Sequence, residues 1–338
     1  MNPIPLPGVV THMSNTLPTD HAARVERAAL ALDGLSVGDA LGETCFRDEH
    51  FEALLDDPRA TARGPWPWTD DTAMALSIHD VLSDHGRIDQ DALAARFAKR
   101  FQAQPWRGYG AGAYRLLGQI GEGAAWRPAA ESIFPGGSFG NGSAMRIAPL
   151  SGYFASDDYG VVAEQAKLSA EVTHTHPEGV AGGIAAAVAG AYAWKHRDAR
   201  TDPATKRGLI DTVISHTPQS VVRDKLERAA SLAFAPPAEP EVRLLDHGMT
   251  TRAFDTSMVP IVRELGNGSR ISCQDTVPFC VWAAARHLDD YEAAIVTTVR
   301  VGGDIDTNCA IVGGIVSLAV GRTGIPADWF QDREALVV

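Results

Sequence analysis

The stretch TVRVGGDIDTNCAIVGGIVSLAVG, residues 298–321, sets Asp304, Asp306, Thr307 and Asn308 in front of a dozen almost wholly apolar residues. A run that is apolar on every side reads as a helix buried on all faces. Carboxylates at the mouth of such a helix are costly to bury unless they cap it, form ion pairs or bind metal. The rest of the chain decides among these.

Outward from this stretch, helical spacing recurs in HAARVERAALALDGLSVGDALG (21–42), where Thr19 or Asp20 caps the start and Gly42 ends the helix. It recurs again in DDTAMALSIHDVLSDHG (70–86), DQDALAARFAKRFQ (89–102), SDDYGVVAEQAKLSAEVTH (156–174), PEGVAGGIAAAVAGAYAWKHR (177–197), TPQSVVRDKLERAASLAF (217–234), QDTVPFCVWAAARHL (274–288) and YEAAIVTTV (291–299). Strand-period alternation is nearly absent, and Ala, Leu, Arg and Glu dominate, so the spacing predicts an all-α bundle in one compact domain over 19–338. Proline-rich residues 1–18 read as a flexible tail, and 235–256 as a long loop.

The chain has 338 residues, enough for a real core, and a net charge of −12 with no Lys- or Arg-rich run. That balance argues against tight nonspecific binding of nucleic acid through its phosphates. Four cysteines lack CxxC spacing, and residues 1–20 show no basic and apolar leader pattern, which together predict a reduced, cytoplasmic protein. Beyond residues 1–19, the longest uncharged run, GVAGGIAAAVAGAYAW (179–194), is short and rich in Ala and Gly, so it fits a closely packed helix and not a membrane span.

A second acidic cluster copies the first. In GPWPWTDDT (64–72) the prolines force an extended approach, Thr69 or Asp70 caps the next helix, and Asp70, Asp71 and Thr72 fall in its first turn. One such cluster fits simple stabilisation of the helix's positive end. Two clusters of carboxylates and hydroxyls without a lysine between them fit hard divalent cations such as Mg²⁺, Mn²⁺ or Ca²⁺ better. Asp304, Asp306 and Asn308 imitate an EF-hand opening, but Cys309 and Ile315 stand where that loop needs Gly and Glu. His174 and His176 in THTHP lack a third zinc ligand at motif spacing. The glycine-rich FPGGSFGNGSAMRIAPL (134–150) offers backbone N–H groups to phosphate oxygens, or makes a packing turn, and it lacks the Walker lysine.

Taken in order, GDALG (38–42), WTDDT (68–72), GSFGNGSAMR (137–146), THTHPEG (173–179) and GGDIDTN (302–308) resemble the ADP-ribosylglycohydrolase family. That family includes the dinitrogenase-reductase-activating glycohydrolases and the animal ADP-ribosyl-arginine and ADP-ribosyl-serine hydrolases. The resemblance spans about 38–320 and implies a single all-α domain around two divalent cations, Mg²⁺ or Mn²⁺. It implies that Thr69, Asp70 and Asp71 bind metal from one side, with Asp304, Asp306 and Thr307 on the other. It also implies that Ser138, Gly140, Asn141 and Gly142 hold the phosphates and ribose of ADP-ribose, that Phe139 stacks on adenine, and that His174 lies near the diphosphate. Where many members carry a glutamate four residues after the last glycine of GDALG, this chain has Phe46, and Glu43 is the nearest acid.

The resulting expectation is a metal-dependent, monomeric hydrolase acting at C1″ of an ADP-ribosylated substrate, with Asp304 and Glu43 as candidate bases. Glu43 is expected to turn back over the metal site after a helix end at Gly42. The rival readings are a two-metal phosphoester hydrolase and a non-catalytic ADP-ribose binder, since relatives of this fold include lens crystallins.

Overall fold

Seventeen α-helices run through the residues that the computed structural model describes, which are 17–58, 63–232, 242–246, 251–255 and 258–336. The first half comprises α1 (His21–Thr44), α2 (Asp48–Asp56), α3 (Asp70–His85), α4 (Gln90–Ala103), α5 (Ala111–Gly121), α6 (Trp126–Ile133), α7 (Gly142–Met145), α8 (Ala148–Tyr153) and α9 (Tyr159–Glu171). The second half comprises α10 (Pro177–Lys195), α11 (Pro203–His216), α12 (Val221–Ser231), α13 (Val259–Leu265), α14 (Cys273–Arg286), α15 (Tyr291–Arg300), α16 (Ile305–Val320) and α17 (Ala327–Asp332).

The all-α expectation holds, with one local correction. Within 235–256, expected as a loop, Val242–Asp246 (β1) and Thr251–Asp255 (β2) pair antiparallel, Val242 opposite Asp255 and Asp246 opposite Thr251. Five-residue strands are too short for alternation to stand out in a sequence. Most of the proline-rich tail, residues 1–16, lies outside the described residues.

At the centre lies α16, in which every residue from Thr307 to Ala319 is buried. It packs against α1 along its length and also touches α10, α14 and α15. Helix α10 is likewise buried from Ala181 through Ala193, as a core helix should be. No helix among the described residues is long and apolar enough to cross a membrane.

The contact between α1 and α16 is made by small residues. A Cβ on Gly34 would come within 2.5 Å of the Gly313 carbonyl oxygen, one on Gly38 would strike the Cys309 carbonyl, and one on Gly42 would sit 2.7 Å from Asp306 Cα. Glycines four apart share a helix face, so the two backbones approach more closely than side chains allow. This overturns the expected helix end at Gly42. The helix runs on to Thr44 because Gly42 serves the approach of Asp306 and supplies no left-handed turn.

Candidate active site

The same close approach places Asp39 of α1 beside the start of α3. Asp39 is fully buried, and its oxygens accept from Thr69 N (3.0 and 3.2 Å), Thr69 Oγ1 (2.8 Å), Thr72 N (3.1 Å) and Thr72 Oγ1 (2.5 Å). A carboxylate from another helix thus satisfies N-terminal donors of α3, while Thr69 caps from within by accepting from Asp71 N at 3.4 Å. The approach through Pro65 and Pro67 leaves Thr69 extended, at φ −106°, so that its hydroxyl can do this. Sequence reasoning quoted Asp39 within GDALG without giving it a role. The available signal was a carboxylate in the middle of an otherwise apolar helix.

One ligand oxygen each from Asp39, Asp71 and Asp306 gathers within 4.8 Å, uniting α1, α3 and α16. Asp71 Oδ2 and Asp306 Oδ1 are buried without any hydrogen-bond partner. Burial, then the charge of Asp39 and the neighbouring carboxylates, pushes Asp71 well above the usual range. Asp306 is raised well above it too, by burial and then by Asp304 and Asp39. Burial and the Asp39 charge lift Asp70 to about 7, and burial lifts Asp39 to about 6 against its four hydroxyl and amide donors. Like charges held this close in a low-dielectric setting need a positive charge among them. Unpartnered carboxylate oxygens beside threonine hydroxyls fit a hard divalent cation. Asp39 is already committed to Thr69 and Thr72, so Asp71 and Asp306 are the better ligands of the three.

Above this cluster opens a cleft of about 420 Å³, lined by Asp70, Asp71, Asp304, Asp306 and Thr307 on one side. Ser138, Gly140, Asn141, Gly142 and His174 line another wall, so the two acidic motifs and the glycine loop, far apart in the chain, meet here. Asn141 Nδ2 donates to Asp304 Oδ2 at 2.6 Å and to Thr276 Oγ1 at 3.1 Å, fixing the Asp304 carboxylate. The Asp304 carboxyl is raised by burial, against the hydrogen bonds from Asn141 and Thr307. Ser138 Oγ accepts from Gly140 N at 3.3 Å and shapes the loop. A broader depression of about 740 Å³ around Arg322 and Phe330 has no unpartnered buried carboxylate among its described lining residues.

Three expected residues lie off the cleft lining, the first being Thr69, buried with its hydroxyl on Asp39. Phe139 does not line the cleft; its exposed ring stands edge-on to His176, 5.4 Å between centroids, and the cleft's aromatic wall is Phe134. Glu43 also lies off the cleft lining, half-buried in the last turn of α1. Its carboxyl is raised by burial and then by Asp39, and it adds to the charge felt by Asp306.

Sequence reasoning also missed the loop that backs Asp304, Gly266–Asn267–Gly268–Ser269, which repeats the Gly-Asn-Gly-Ser of 140–143. Asn267 O accepts from Asp304 N at 3.3 Å and from Asn308 Nδ2 at 2.7 Å, and the segments join through a bridge between Gly140 and Ser272. The tetrapeptide repeat was the signal that could have found it.

Comparison with known proteins identifies the family. ADP-ribosylhydrolase ARH3 of Xenopus tropicalis is 29% identical over 337 residues, 93% of this chain and 92% of its own length. ADP-ribosylhydrolase ARH3 of Danio rerio is 29% identical over 340 residues, 91% of this chain and 88% of its own. A solved structure described as an ADP-ribosylglycohydrolase-related protein complex shares the fold at a TM-score of 0.62 and 22% identity, covering 93% of this chain and 94% of that one. The profile of the family described as ADP-ribosylglycohydrolase matches residues 20–336, and the chain belongs to that family.

Proposed function

We propose that this chain hydrolyses the glycosidic bond at C1″ of an ADP-ribosyl group and releases ADP-ribose. The observation that carries the reading is the pair of unpartnered buried oxygens, Asp71 Oδ2 and Asp306 Oδ1, at the floor of a cleft walled by a glycine-rich loop. Two divalent cations, Mg²⁺ or Mn²⁺, held by Thr69, Asp70, Asp71, Asp304, Asp306 and Thr307 would orient the ribose hydroxyls and lower the pKa of a water. The backbone of Ser138 to Gly142 holds the diphosphate and ribose, with His174 beside it.

Asp304 faces the cleft with its carboxylate fixed through Asn141, so it is the residue that takes the proton from the attacking water. The water oxygen bonds to C1″, the bond from C1″ to the leaving group breaks with its electron pair, and the leaving group is protonated. Glu43 sits behind Asp39 and Asp306 electrostatically, which suits a role in tuning their charge. Glu43→Gln should lower kcat by less than Asp304→Asn does; a loss of 10² or more, of the order set by general-base removal, would make Glu43 the base.

The test is incubation of the Mg²⁺-loaded protein with a panel of ADP-ribosylated proteins, nucleic acids and small molecules. Free ADP-ribose released only without chelator supports the proposal, and release of inorganic phosphate or AMP would replace it with a phosphoester hydrolase. Tight ADP-ribose binding without turnover on any panel member would leave a binding protein.

A further inference from the structure

Three side chains at the base of the cleft form a relay. Arg146, wholly buried, donates through Nη2 to Thr173 Oγ1 at 2.8 Å and to Ser169 O at 3.0 Å. Thr173 Oγ1 lies 2.6 Å from His174 Nδ1. A guanidinium can only donate, so the Thr173 oxygen accepts from Arg146 and keeps its own proton to give. The carbonyls a threonine at a helix end ordinarily uses are engaged. Ser169 O, four residues back, takes Arg146, while Ala170 O accepts from both Thr173 N (3.0 Å) and His174 N (2.7 Å). The close acceptor left for the Thr173 hydroxyl is His174 Nδ1.

A neutral imidazole that accepts at Nδ1 carries its proton on Nε2. Burial and then the Arg146 charge push His174 down to about 3, which keeps the ring neutral near pH 7. Its Nε2 faces the glycine loop: a Cβ added at Gly140 would be 3.3 Å from it, and one at Gly142 3.0 Å. Among the described residues no protein group is hydrogen-bonded to Nε2, and His174 lines the cleft.

We propose that Arg146 and Thr173 hold His174 as the neutral Nε2–H tautomer, so that Nε2 is a fixed hydrogen-bond donor to a phosphate oxygen of the ligand in the cleft. The ligand half of this inference rests on the reading of the site given above. Arg146 and Thr173 are positioning residues. An imidazole free to exchange tautomers would turn a lone pair toward the phosphate part of the time, and the relay removes that state.

The experiment uses the Mg²⁺-loaded protein labelled with ¹⁵N-histidine, with long-range ¹H–¹⁵N correlation near pH 7 and His174 assigned by its loss in His174→Gln. The Nε2–H pattern is expected in the wild type; an Nδ1–H or imidazolium pattern would overturn the proposal, and this spectrum needs no variant that must fold. Thr173→Val should mix the tautomers and weaken ADP-ribose binding by calorimetry about tenfold, the size of one hydrogen bond to a charged group, while Thr173→Ser retains both. Wild-type affinity in a folded Thr173→Val would also overturn it. A wild type that does not bind ADP-ribose would remove the phosphate assignment together with the functional reading, whereas tight ADP-ribose binding beside an Nδ1–H spectrum would sink the relay alone.

Discussion

Asp71 and Asp306 carry opposite consequences with and without cation. Each holds an oxygen that no protein group satisfies, among carboxylates that repel it. Asp71→Asn and Asp306→Asn should each lower kcat by about 10² or more, yet melt higher than wild type in chelator by the equivalent of about 1–3 kcal/mol. Calorimetric melts with chelator and with Mg²⁺ check both halves, and a variant that melts lower in chelator would show that the carboxylate is satisfied within the protein. Phe134 supplies a second residue-level test. Phe134→Ala should weaken ADP-ribose binding by about 1–3 kcal/mol if its ring stacks on the base, and Phe139→Ala should weaken it less. The reverse order in calorimetry would return the stacking role to Phe139. The acids themselves were legible because Asp70 and Asp71, or Asp304 and Asp306, stand together before apolar runs. The role of Asp39 was not, because its donors Thr69 and Thr72 come about thirty positions later.

Among elements, the seam between α1 and α16 decides whether those carboxylates meet. Replacing a helix-interior glycine by alanine ordinarily stabilises by about 0.5–1 kcal/mol. Gly118 in α5, with nothing within 4 Å of an added Cβ, should follow that rule. Gly38→Ala should reverse it and cost about 3 kcal/mol or more, because the new methyl meets the backbone of Cys309. Chemical denaturation of the two variants settles the sign, and a Gly38→Ala protein as stable as Gly118→Ala would mean the helices can part freely. Of the two caps expected for α3, Thr69 is the one observed. Helices α1, α3, α4, α9, α10, α12, α14, α15 and α16 were readable from their apolar spacing, whereas α5 and the fourteen-residue α11 were not. The short α7 and α8 were not, since four and six residues give no period, and the continuation of α1 through Gly42 follows from a partner helix that local spacing does not contain.

For the whole molecule, the acidic cluster ties stability to pH and cation together. Asp39 at about 6 and Asp70 at about 7 stand above the 3.8 of a free aspartate. In chelator the folded protein therefore keeps protons that the unfolded chain releases between about pH 4 and 7, so this contribution to stability is full below that window and is lost as pH rises through it. Excess Mg²⁺ selects the ionised carboxylates and should flatten or reverse the slope. Melting temperatures near pH 5 and pH 7.5, with and without Mg²⁺, read this directly; parallel curves would mean that the carboxylates share no cation. The seam that joins α1 to α16 also orders events in time. Asp39 and Asp71 leave a ribosome long before Asp306 does, so a chain not yet made as far as α16 holds part of the cluster and no catalyst. Asp39 and Asp71 on one side and Asp306 on the other belong to stretches of chain whose shared position rests on glycine against backbone, so a chain divided between α12 and α13 would still carry every one of these carboxylates and would bring them together only while that contact held.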